Sequence, residues 1–397
     1  MPKGRNQSNI RNENQALVID LIKSANSYCC NDIAHRLKMS NSAIEYIVDE
    51  LSEIGILEID HSLRSKSVGR CPIYYRINNR FGCVVAVDFI NSKFSICDIC
   101  GNMLHESTFS SGGSFTMGHS YKRQDVDTII SFIKEALATV SSQGWTLRAI
   151  SIATFGKVDI NKGSYTFVKS IDSTLNLKEI FESAFGVTTS IYNDIDLAAI
   201  AESQSGKLIG KTRNSLFVSV GEGMADTIFI DGKIVHGAHF RGGEIGFVVG
   251  YSELMKEYKR LELISTIHSI KNNIENYKRL HTDAQFSCKE IRNVNDIFDD
   301  YFQGDKLCVD FVLDSAKCLG TAIGNLVNIL DCEATVLAGN VLTFGEQYLS
   351  VLTDAFKSCL NSGLSCPIEF SSLNDSVSLG ARLVGCDLAI KSCFRKV

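Results

Sequence analysis

Apolar residues in the first part of the chain recur every three or four positions, which is the period of an amphipathic helix. On this pattern, two short helices are expected over residues 14–23 and 31–37, and a third follows the short connection 38–40. The third helix has apolar residues at positions i, i+3, i+4 and i+7, namely Ile44, Ile47, Val48 and Leu51. Three short helices with a tight turn before the third predict a helix-turn-helix.

Polar residues and a hairpin complete this N-terminal pattern. Ser40 or Ser42 is expected to cap the third helix, and Ser42 with Glu45 fits a capping box. Residues 55–59 and 73–77 are typical of two strands joined by a polar loop, which is the wing of a winged helix-turn-helix. A small helical interaction module is the alternative interpretation.

From residue 83 onward, the pattern changes to short strands followed by helices, which predicts an α/β fold. Asp231-Gly232 is the strongest short hairpin signal in this part of the chain. The expected strands are 83–89, 94–99, 103–109, 147–153, 187–192, 216–220, 226–230 and 334–337. The expected helices are 121–142, one opening at Asn193-Asp194, 283–302, 306–330 and 374–392.

The composition is that of an ordinary soluble globular protein. A chain of 397 residues suggests two or three domains, and 45% of the residues are apolar while 21% are charged. No apolar run has the length of a membrane span and no signal-peptide core is present, so a cytoplasmic location is expected. The 14 cysteines are therefore interpreted as free thiols. Cys97 and Cys100 form a C-x-x-C without a second pair, which favours buried small apolar residues over a zinc site.

The two ends of the chain differ in charge. Residues 1–80 contain 11 Lys and Arg against 9 Asp and Glu, whereas residues 81–397 contain 29 against 36. A slightly basic N-terminal segment permits binding to nucleic acid and does not by itself demonstrate it.

Side chains that could bind double-stranded DNA lie near the start of the third helix and on the wing. Base edges would be contacted by polar residues of the third helix, while phosphates attract cations. The candidate residues are Lys38, Ser40, Asn41, Ser42, Tyr46, Arg64, Lys66 and Arg70. The third helix itself contains no Lys or Arg and carries Glu45, Asp49 and Glu50, so one such domain would bind weakly. A homodimer or homotetramer that places two or more readers on a palindromic operator is expected.

The most specific motif lies in residues 214–247. Two predicted strands flank the turn Gly221-Glu222-Gly223, where small residues would let the backbone approach a phosphate. Further on, Gly242-Gly243-Glu244-Ile245-Gly246 places a carboxylate between glycines, which suits a small polyhydroxy ligand.

This stretch resembles the ROK family of repressors and sugar kinases, including its xylose and N-acetylglucosamine repressors. The family pattern is close to G-T-G-I-G-x-G-I-x-x-x-G-K followed by G-A-x-G-x-A-G-E-I-G-H. Positions in step with it are Gly221, Gly223, Gly232-Lys233, Gly237-Ala238 and Gly243-Glu244-Ile245-Gly246. The departures are Glu222 for Thr, Ala225 for Gly and Phe247 for the terminal His, which would be a zinc ligand and a sugar contact.

The resemblance implies a winged helix-turn-helix followed by a two-lobed, actin-like (ribonuclease H-like) ATPase body. The expected domains are the DNA-binding domain 1–80, a first lobe 81–195 completed by the helix in 374–397, and a second lobe 196–373. The wing motif Gly69-Arg70-x-Pro72 is similar to that of ROK repressors, with Cys71 inserted.

The resemblance also implies a ligand site. Asp194 stands where the family's kinases have the general base, and Asn193 stands at a sugar contact; the alternative is that both only cap a helix. The expected ligand-binding residues are Gly156, Asn193, Asp194, Glu244, Phe247 and Glu262. Phe247 would give the site an apolar wall, and for Glu262 a solvated helix residue is the alternative interpretation.

Two family features are missing. The phosphate loop D-x-G-G-T retains only Asp88, because residues 89–92 contain neither glycine nor threonine. The expected zinc segment, residues 248–265, contains no cysteine, so neither zinc nor ATP is expected as a cofactor.

The sequence therefore predicts a transcriptional regulator of sugar metabolism, most simply a repressor, that is not an enzyme. A sugar or sugar phosphate in the cleft would change the separation of the DNA-binding domains. The alternatives are an active ATP-dependent sugar kinase with a DNA-binding appendage and a ligand-free dimerisation scaffold.

Overall fold

The computed structural model describes residues 7–25, 27–62, 72–109, 122–160, 164–166, 175–281, 293 and 295–394. The chain divides into two compact units, a first unit of Met1–Asn193 with Ala381–Val397 and a second unit of Asp194–Gly380. In the described part of the chain, no helix has the length and apolarity needed to cross a membrane.

The N-terminal part of the first unit contains three helices and a small antiparallel sheet. The predicted helices are confirmed, although the first is longer than expected, and a short strand before the second helix was not predicted. The elements are α1 (Gln7–Ala25), β1 (Tyr28–Cys29), α2 (Cys30–Leu37), α3 (Asn41–Glu53), β2 (Leu57–Ile59) and β3 (Tyr74–Ile77). The sheet has the order β1-β3-β2, so β3 of the wing is also held by the segment that precedes α2.

The apolar face predicted for α3 is confirmed, since Ile44, Ile47, Val48 and Leu51 are all buried. The Ser40 hydroxyl accepts a hydrogen bond from the backbone N–H of Ala43 at 3.3 Å. Ser40 is thus the N-cap and the capping box at Ser42 is wrong, because the helix already begins at Asn41.

A five-stranded sheet with the order β10-β7-β4-β5-β6 forms the centre of the first unit. Strands β4, β5 and β6 form an antiparallel meander, and β7 and β10 continue the sheet in parallel from β4. The strands are β4 (Cys83–Asp88), β5 (Lys93–Asp98), β6 (Met103–Thr108), β7 (Leu147–Thr154) and β10 (Thr188–Asn193), with the small pair β8 (Lys157–Asp159) and β9 (Ser164–Thr166). The helices are a 3₁₀ turn (Asn79–Phe81), α4 (Arg123–Ser142), α5 (Leu177–Phe185) and the C-terminal α12 (Ser376–Phe394), which belongs to this unit from Ala381 onward.

The sheet of the second unit repeats this plan with the order β13-β12-β11-β16-β17. Here too an antiparallel meander is extended by two parallel strands. Its strands are β11 (Asn214–Val220), β12 (Met224–Ile230), β13 (Lys233–Ile234), β16 (Ala334–Ala338) and β17 (Ile368–Phe370), and β14 (Val249–Ser252) pairs with β15 (Glu257–Arg260). Its helices are α6 (Asp194–Ser205), α7 (Glu262–Ser265), α8 (Ile267–Leu280), α9 (Asn295–Phe302), α10 (Lys306–Leu330) and α11 (Glu346–Cys359), with 3₁₀ turns at Ile245–Phe247 and Asn340–Phe344.

Local signals predicted several details of these elements. Asp231 and Gly232 have φ angles of 49° and 74°, as a tight hairpin with two left-handed residues requires. Asn193 is the last residue of β10, and the next helix opens at Asp194, one residue later than expected. The helix expected over 283–302 is present from Asn295, while residues 283–292 lie outside the described residues.

One apolar core joins the N-terminal helices to the sheet of the first unit. It contains Val18 and Ile47 from the N-terminal helices together with Val84 from β4 and Ile390 from α12. The Lys23 ammonium also contacts the Asp387 carboxylate of α12 at 2.5 Å. Cys97 is fully buried as predicted, but Cys100 is exposed because it lies in the turn after β5, so that part of the prediction is wrong.

Candidate functional site

The exposed face of α3 is polar at the end that follows Ser40. Asn41, Ser42 and Tyr46 are exposed, and Tyr46 retains 60% of its accessible surface. Lys38 is exposed in a left-handed conformation (φ 54°) that ends α2 and turns the chain toward α3. In helix-turn-helix proteins the start of the second helix of the motif contacts base edges, and the exposed polar residues of α3 lie at that end of the helix.

A charge on α3 is neutralised by a residue that the sequence did not indicate. The Arg11 guanidinium of α1 forms an ion pair with Glu50, and the Gln15 amide donates to the same carboxylate at 3.0 Å. A hydrogen bond to the Glu50 carboxylate raises the pKa of the Tyr46 hydroxyl. Arg64, Lys66 and Arg70 lie outside the described residues.

In the second unit, residues 242–247, here called the Glu244 turn, lie against β12. Gly243 has a φ angle of 79°, and a Cβ atom added to it would lie 1.9 Å from the carbonyl oxygen of Asp226. Only glycine therefore fits at this position. The Asp226 carboxylate accepts a hydrogen bond of 2.7 Å from the backbone N–H of Ile245, and the backbone N–H of Asp226 donates to the carbonyl oxygen of Gly243 at 3.4 Å. The backbone is therefore held on both sides of Glu244. The Glu244 side chain is exposed.

Asp226 belongs to a group of polar residues behind the Glu244 turn that sequence reasoning missed. Burial raises its pKa to about 6, and the nearby Glu244 and Asp196 carboxylates add to the rise. Asp196 accepts a hydrogen bond from the Thr227 hydroxyl at 2.9 Å and lies 3.5 Å from Nδ1 of His236. Asp226 could have been noticed from the sequence as an acidic residue inside an apolar strand.

Phe247 and Glu262 flank the Glu244 turn. The Phe247 side chain is 56% exposed, and the Arg260 guanidinium lies 5.0 Å from the centre of its ring. Glu262 is the first residue of α7, and its carboxylate lies 3.3 Å from Arg260. A methyl group on Gly246 would come within 3.5 Å of Oε2 of Glu262. Within the second unit these side chains therefore surround one turn.

Of the remaining predicted ligand residues, Gly156 and Asn193 belong to the first unit and Asp194 to the second. In the first unit, the side-chain amide of Asn193 donates to the carbonyl oxygen of Gly156 at 2.7 Å, so these two predicted residues are in contact. Asp194 opens α6 in the second unit.

The family's phosphate loop is replaced by a closed turn at residues 88–92, here called the Asp88 loop. The buried Asp88 carboxylate accepts from the backbone N–H groups of Ile90 (3.0 Å) and Asn91 (2.9 Å) and from the Asn91 amide (2.8 Å). Phe89 is fully buried, with its ring 5.9 Å from that of Phe109. An open backbone for phosphate is therefore absent from this loop.

The next turn of the same meander repeats this device. The Asp98 carboxylate accepts from the backbone N–H groups of Cys100 and Asn102, both at 2.9 Å, and from the Asn102 amide at 2.8 Å. An aspartate that closes a turn onto a following asparagine is thus a structural feature of this sheet.

The stretch where the family carries its zinc segment forms the β14–β15 hairpin and α7. Over the residues that the structure describes, no group of three or more His, Cys, Asp or Glu side chains could hold a metal ion.

A three-helix module with a wing, followed by two sheets of repeated topology, defines a winged helix-turn-helix protein with an actin-like α/β body. The chain belongs to the ROK family, whose sequence profile matches residues 93–384. The expected family and fold class are therefore confirmed.

Comparison with known proteins supports this assignment over nearly the whole chain. The chain is 21% identical to the xylose repressor of Caldicellulosiruptor bescii over 386 residues, which covers 94% of this chain and 96% of the relative. It is 27% identical to the β-glucoside kinase of Klebsiella pneumoniae over 256 residues, 63% of this chain and 82% of the kinase. The crystal structure of a ROK family transcriptional regulator, a homologue of the E. coli MLC protein, superposes with a TM-score of 0.77 and 19% identity, covering 97% and 98% of the two chains.

Proposed function

We propose that this protein is a DNA-binding transcriptional repressor that responds to a sugar. The observation that carries the proposal is the exposed polar start of α3, capped by Ser40 and set on a core shared with β4 and α12. For α3 to read a palindromic site, the body only has to dimerise, so that a second α3 helix contacts the other half-site. The full-length similarity to a protein named xylose repressor supports the same function.

In this proposal the Glu244 turn contributes to the sugar site. Carboxylates accept charge-assisted hydrogen bonds from sugar hydroxyls, and Glu244 is exposed on a turn whose backbone is anchored by Asp226. Glu262 of the same unit supplies a further polar group, and Phe247 supplies an apolar surface. Gly156, Asn193 and Asp194 stay predicted ligand contacts. Sugar binding would change the spacing of two α3 helices in a dimer and release the operator.

The experiment is selection of the purified full-length protein on random DNA duplexes, with and without xylose, glucose or N-acetylglucosamine. We expect enrichment of a palindromic site, weakened binding of that site in Asn41→Ala, and release by one of the sugars. An Asn361→Ala variant in the second unit is the matched control and should bind like the wild type. Recovery of no preferred sequence would overturn the proposal.

A sugar kinase is the second candidate, favoured by Asp194 at the start of α6 and by similarity to a β-glucoside kinase. The closed Asp88 loop and the exposed carboxylate of Glu222 at the turn after β11 oppose it, because phosphoryl transfer depends on positioning phosphates and metal. An assay of ADP release with the same sugars distinguishes the two functions. Turnover that is lost in Asp194→Asn would establish the kinase.

A third candidate is a scaffold whose body only dimerises. No sugar would then change the melting temperature of the protein. A reproducible shift with any sugar of the panel excludes this candidate.

A further inference from the structure

A cavity of about 720 Å³ lies in the second unit, and the Glu244 turn is not part of its lining. Its walls are the connection and start of the second strand of the β14–β15 hairpin, the last two turns of α8, and Phe311 of α10. The volume is in the range of sites that bind small molecules, about 300–1,000 Å³. Neither Glu244 nor any other residue of the proposed sugar site lines it.

One part of the cavity is apolar and aromatic. Phe311 is almost fully buried, and the Tyr277 ring meets it edge-on with the ring centres 5.7 Å apart. The His281 ring stacks on Tyr277 at 4.0 Å, and Leu254 and Met255 complete this part of the lining. Such a surface favours a flat or aliphatic ligand body because it offers contact area without unsatisfied polar groups.

The other part of the cavity carries a positive charge. Lys256, Lys259 and Arg279 line it, and among the described residues of the lining Glu257 is the single acidic one. The Lys259 ammonium is held by Glu257 at 2.5 Å, which leaves Lys256 and Arg279 as exposed positive charges that the ion pair does not offset. Lys256 has a φ angle of 54°, so the hairpin connection is held in a left-handed conformation at this point.

The C-terminal end of α8 slightly reduces the attraction of this part of the cavity for an anion. The carbonyl groups at a helix C-terminus carry a partial negative charge, which disfavours an anion. The backbone N–H of His281 donates to the carbonyl of Tyr277 at 3.1 Å, and Lys278 and Arg279 lie in the last turn. Among the described lining residues, three cationic side chains still stand against one carboxylate.

We propose that this cavity binds a small amphipathic anion, namely an aromatic or aliphatic body that carries a phosphate, sulfonate or carboxylate. The ligand body would pack on Tyr277, Phe311 and Met255, and its anionic group would contact Lys256 and Arg279. This site is independent of the proposed sugar site and of the proposed DNA-binding function.

The test uses 8-anilino-1-naphthalenesulfonate and its uncharged relative N-phenyl-1-naphthylamine as fluorescent probes of the full-length protein. We expect one saturable site for the sulfonate, with affinity at least about tenfold weaker in the double variant Lys256→Gln/Arg279→Gln, since two charged contacts are lost. The uncharged probe should bind both proteins equally. Lys233→Gln, which removes an exposed charge on β13 of the same unit, is the matched control and should bind like the wild type.

A second variant makes the test independent of the lysine and arginine side chains. Leu280 lines the cavity and is 80% exposed, so Leu280→Glu adds a negative charge at the mouth without disturbing the core. It should weaken the sulfonate and leave the uncharged probe unaffected. Competition by phenyl phosphate and by benzoate, compared with phenol, ranks the anionic groups. Unchanged sulfonate affinity in both variants, or displacement by phenol as effective as by the two anions, would refute the proposal.

Discussion

The Asp88 loop and the Glu244 turn use a buried aspartate in opposite ways. In the Asp88 loop, the carboxylate accepts three hydrogen bonds from its own turn and closes it. In the Glu244 turn, the buried carboxylate of Asp226 comes from a neighbouring strand and holds the backbone at Ile245, which leaves Glu244 exposed.

Under the proposed function, this difference would remove the phosphate chemistry of the family's kinases and keep the sugar site. A phosphate site needs free backbone N–H groups, and the Asp88 loop has bound them to its own side chain. A sugar site needs exposed carboxylates in a fixed position, and the Glu244 turn retains one. Four predictions test this contrast, in order of decreasing effect.

The largest effect is expected for Gly243→Ala. The added methyl group would meet the Asp226 carbonyl at 1.9 Å in a residue whose φ is already positive, so the free energy of unfolding should fall by about 4 kcal/mol. Gly345→Ala is the control, because its φ is 76° but no atom lies within 4 Å of the added Cβ, and it should cost about 1–2 kcal/mol. Urea unfolding measures both; equal losses would mean that the turn is loosely packed.

Asp88→Ala and Asp98→Ala should destabilise the protein to the same extent. Each removes a buried carboxylate that accepts three hydrogen bonds, so each should lower the free energy of unfolding by about 3 kcal/mol. Calorimetry should show no ATP binding in either variant or in the wild type. If ATP binds the wild type and Asp98→Ala but not Asp88→Ala, the Asp88 loop is a phosphate site after all.

Glu244→Ala should lower the affinity for sugar by about 100-fold, because charge-assisted hydrogen bonds to the hydroxyls are lost. The sugar used is any one that raises the melting temperature of the wild type. Glu222→Ala, at the exposed turn after β11, should change the affinity by no more than about twofold. Isothermal calorimetry on the three proteins gives the comparison. Equal affinity of wild type and Glu244→Ala would place the ligand elsewhere.

Asp226→Asn should change how stability depends on pH. The pKa of Asp226 rises from 3.8 to about 6 on folding, so the folded state binds the proton more tightly than the unfolded state does. This contribution is fully present below pH 3.8 and is lost as the pH rises through about 6, at a cost of about 3 kcal/mol for the ionised form.

The asparagine variant keeps an acceptor for the Ile245 N–H but does not ionise. The free energy of unfolding of the variant minus that of the wild type should therefore increase by about 2 kcal/mol from pH 4 to pH 7.5. Urea midpoints at both pH values provide the measurement, and Asp231→Asn, which replaces an exposed carboxylate in the same unit, should show no such gain. A parallel pH dependence in wild type and Asp226→Asn would contradict the prediction.

The sequence by itself determined the elements whose cause is local. The apolar spacing of α3 predicted which side chains are buried on one face of the helix. The Asp231-Gly232 pair predicted a turn with two left-handed residues. The family motif at Gly243-Glu244-Ile245-Gly246 likewise identified the chain, because it depends on a short run of residues.

The tertiary structure alone decided which distant groups meet. Asp226 obtains its partner, the Ile245 N–H, only because the Glu244 turn packs against β12. Glu50 of α3 obtains its ion-pair partner Arg11 only because α1 packs against α3. The roles assigned to Gly156, Asn193, Asp194, Glu244 and Glu262 stay predictions. Hydrophobic periodicity records burial along one element, whereas the partner of a buried charge is chosen by how elements far apart in the chain pack together.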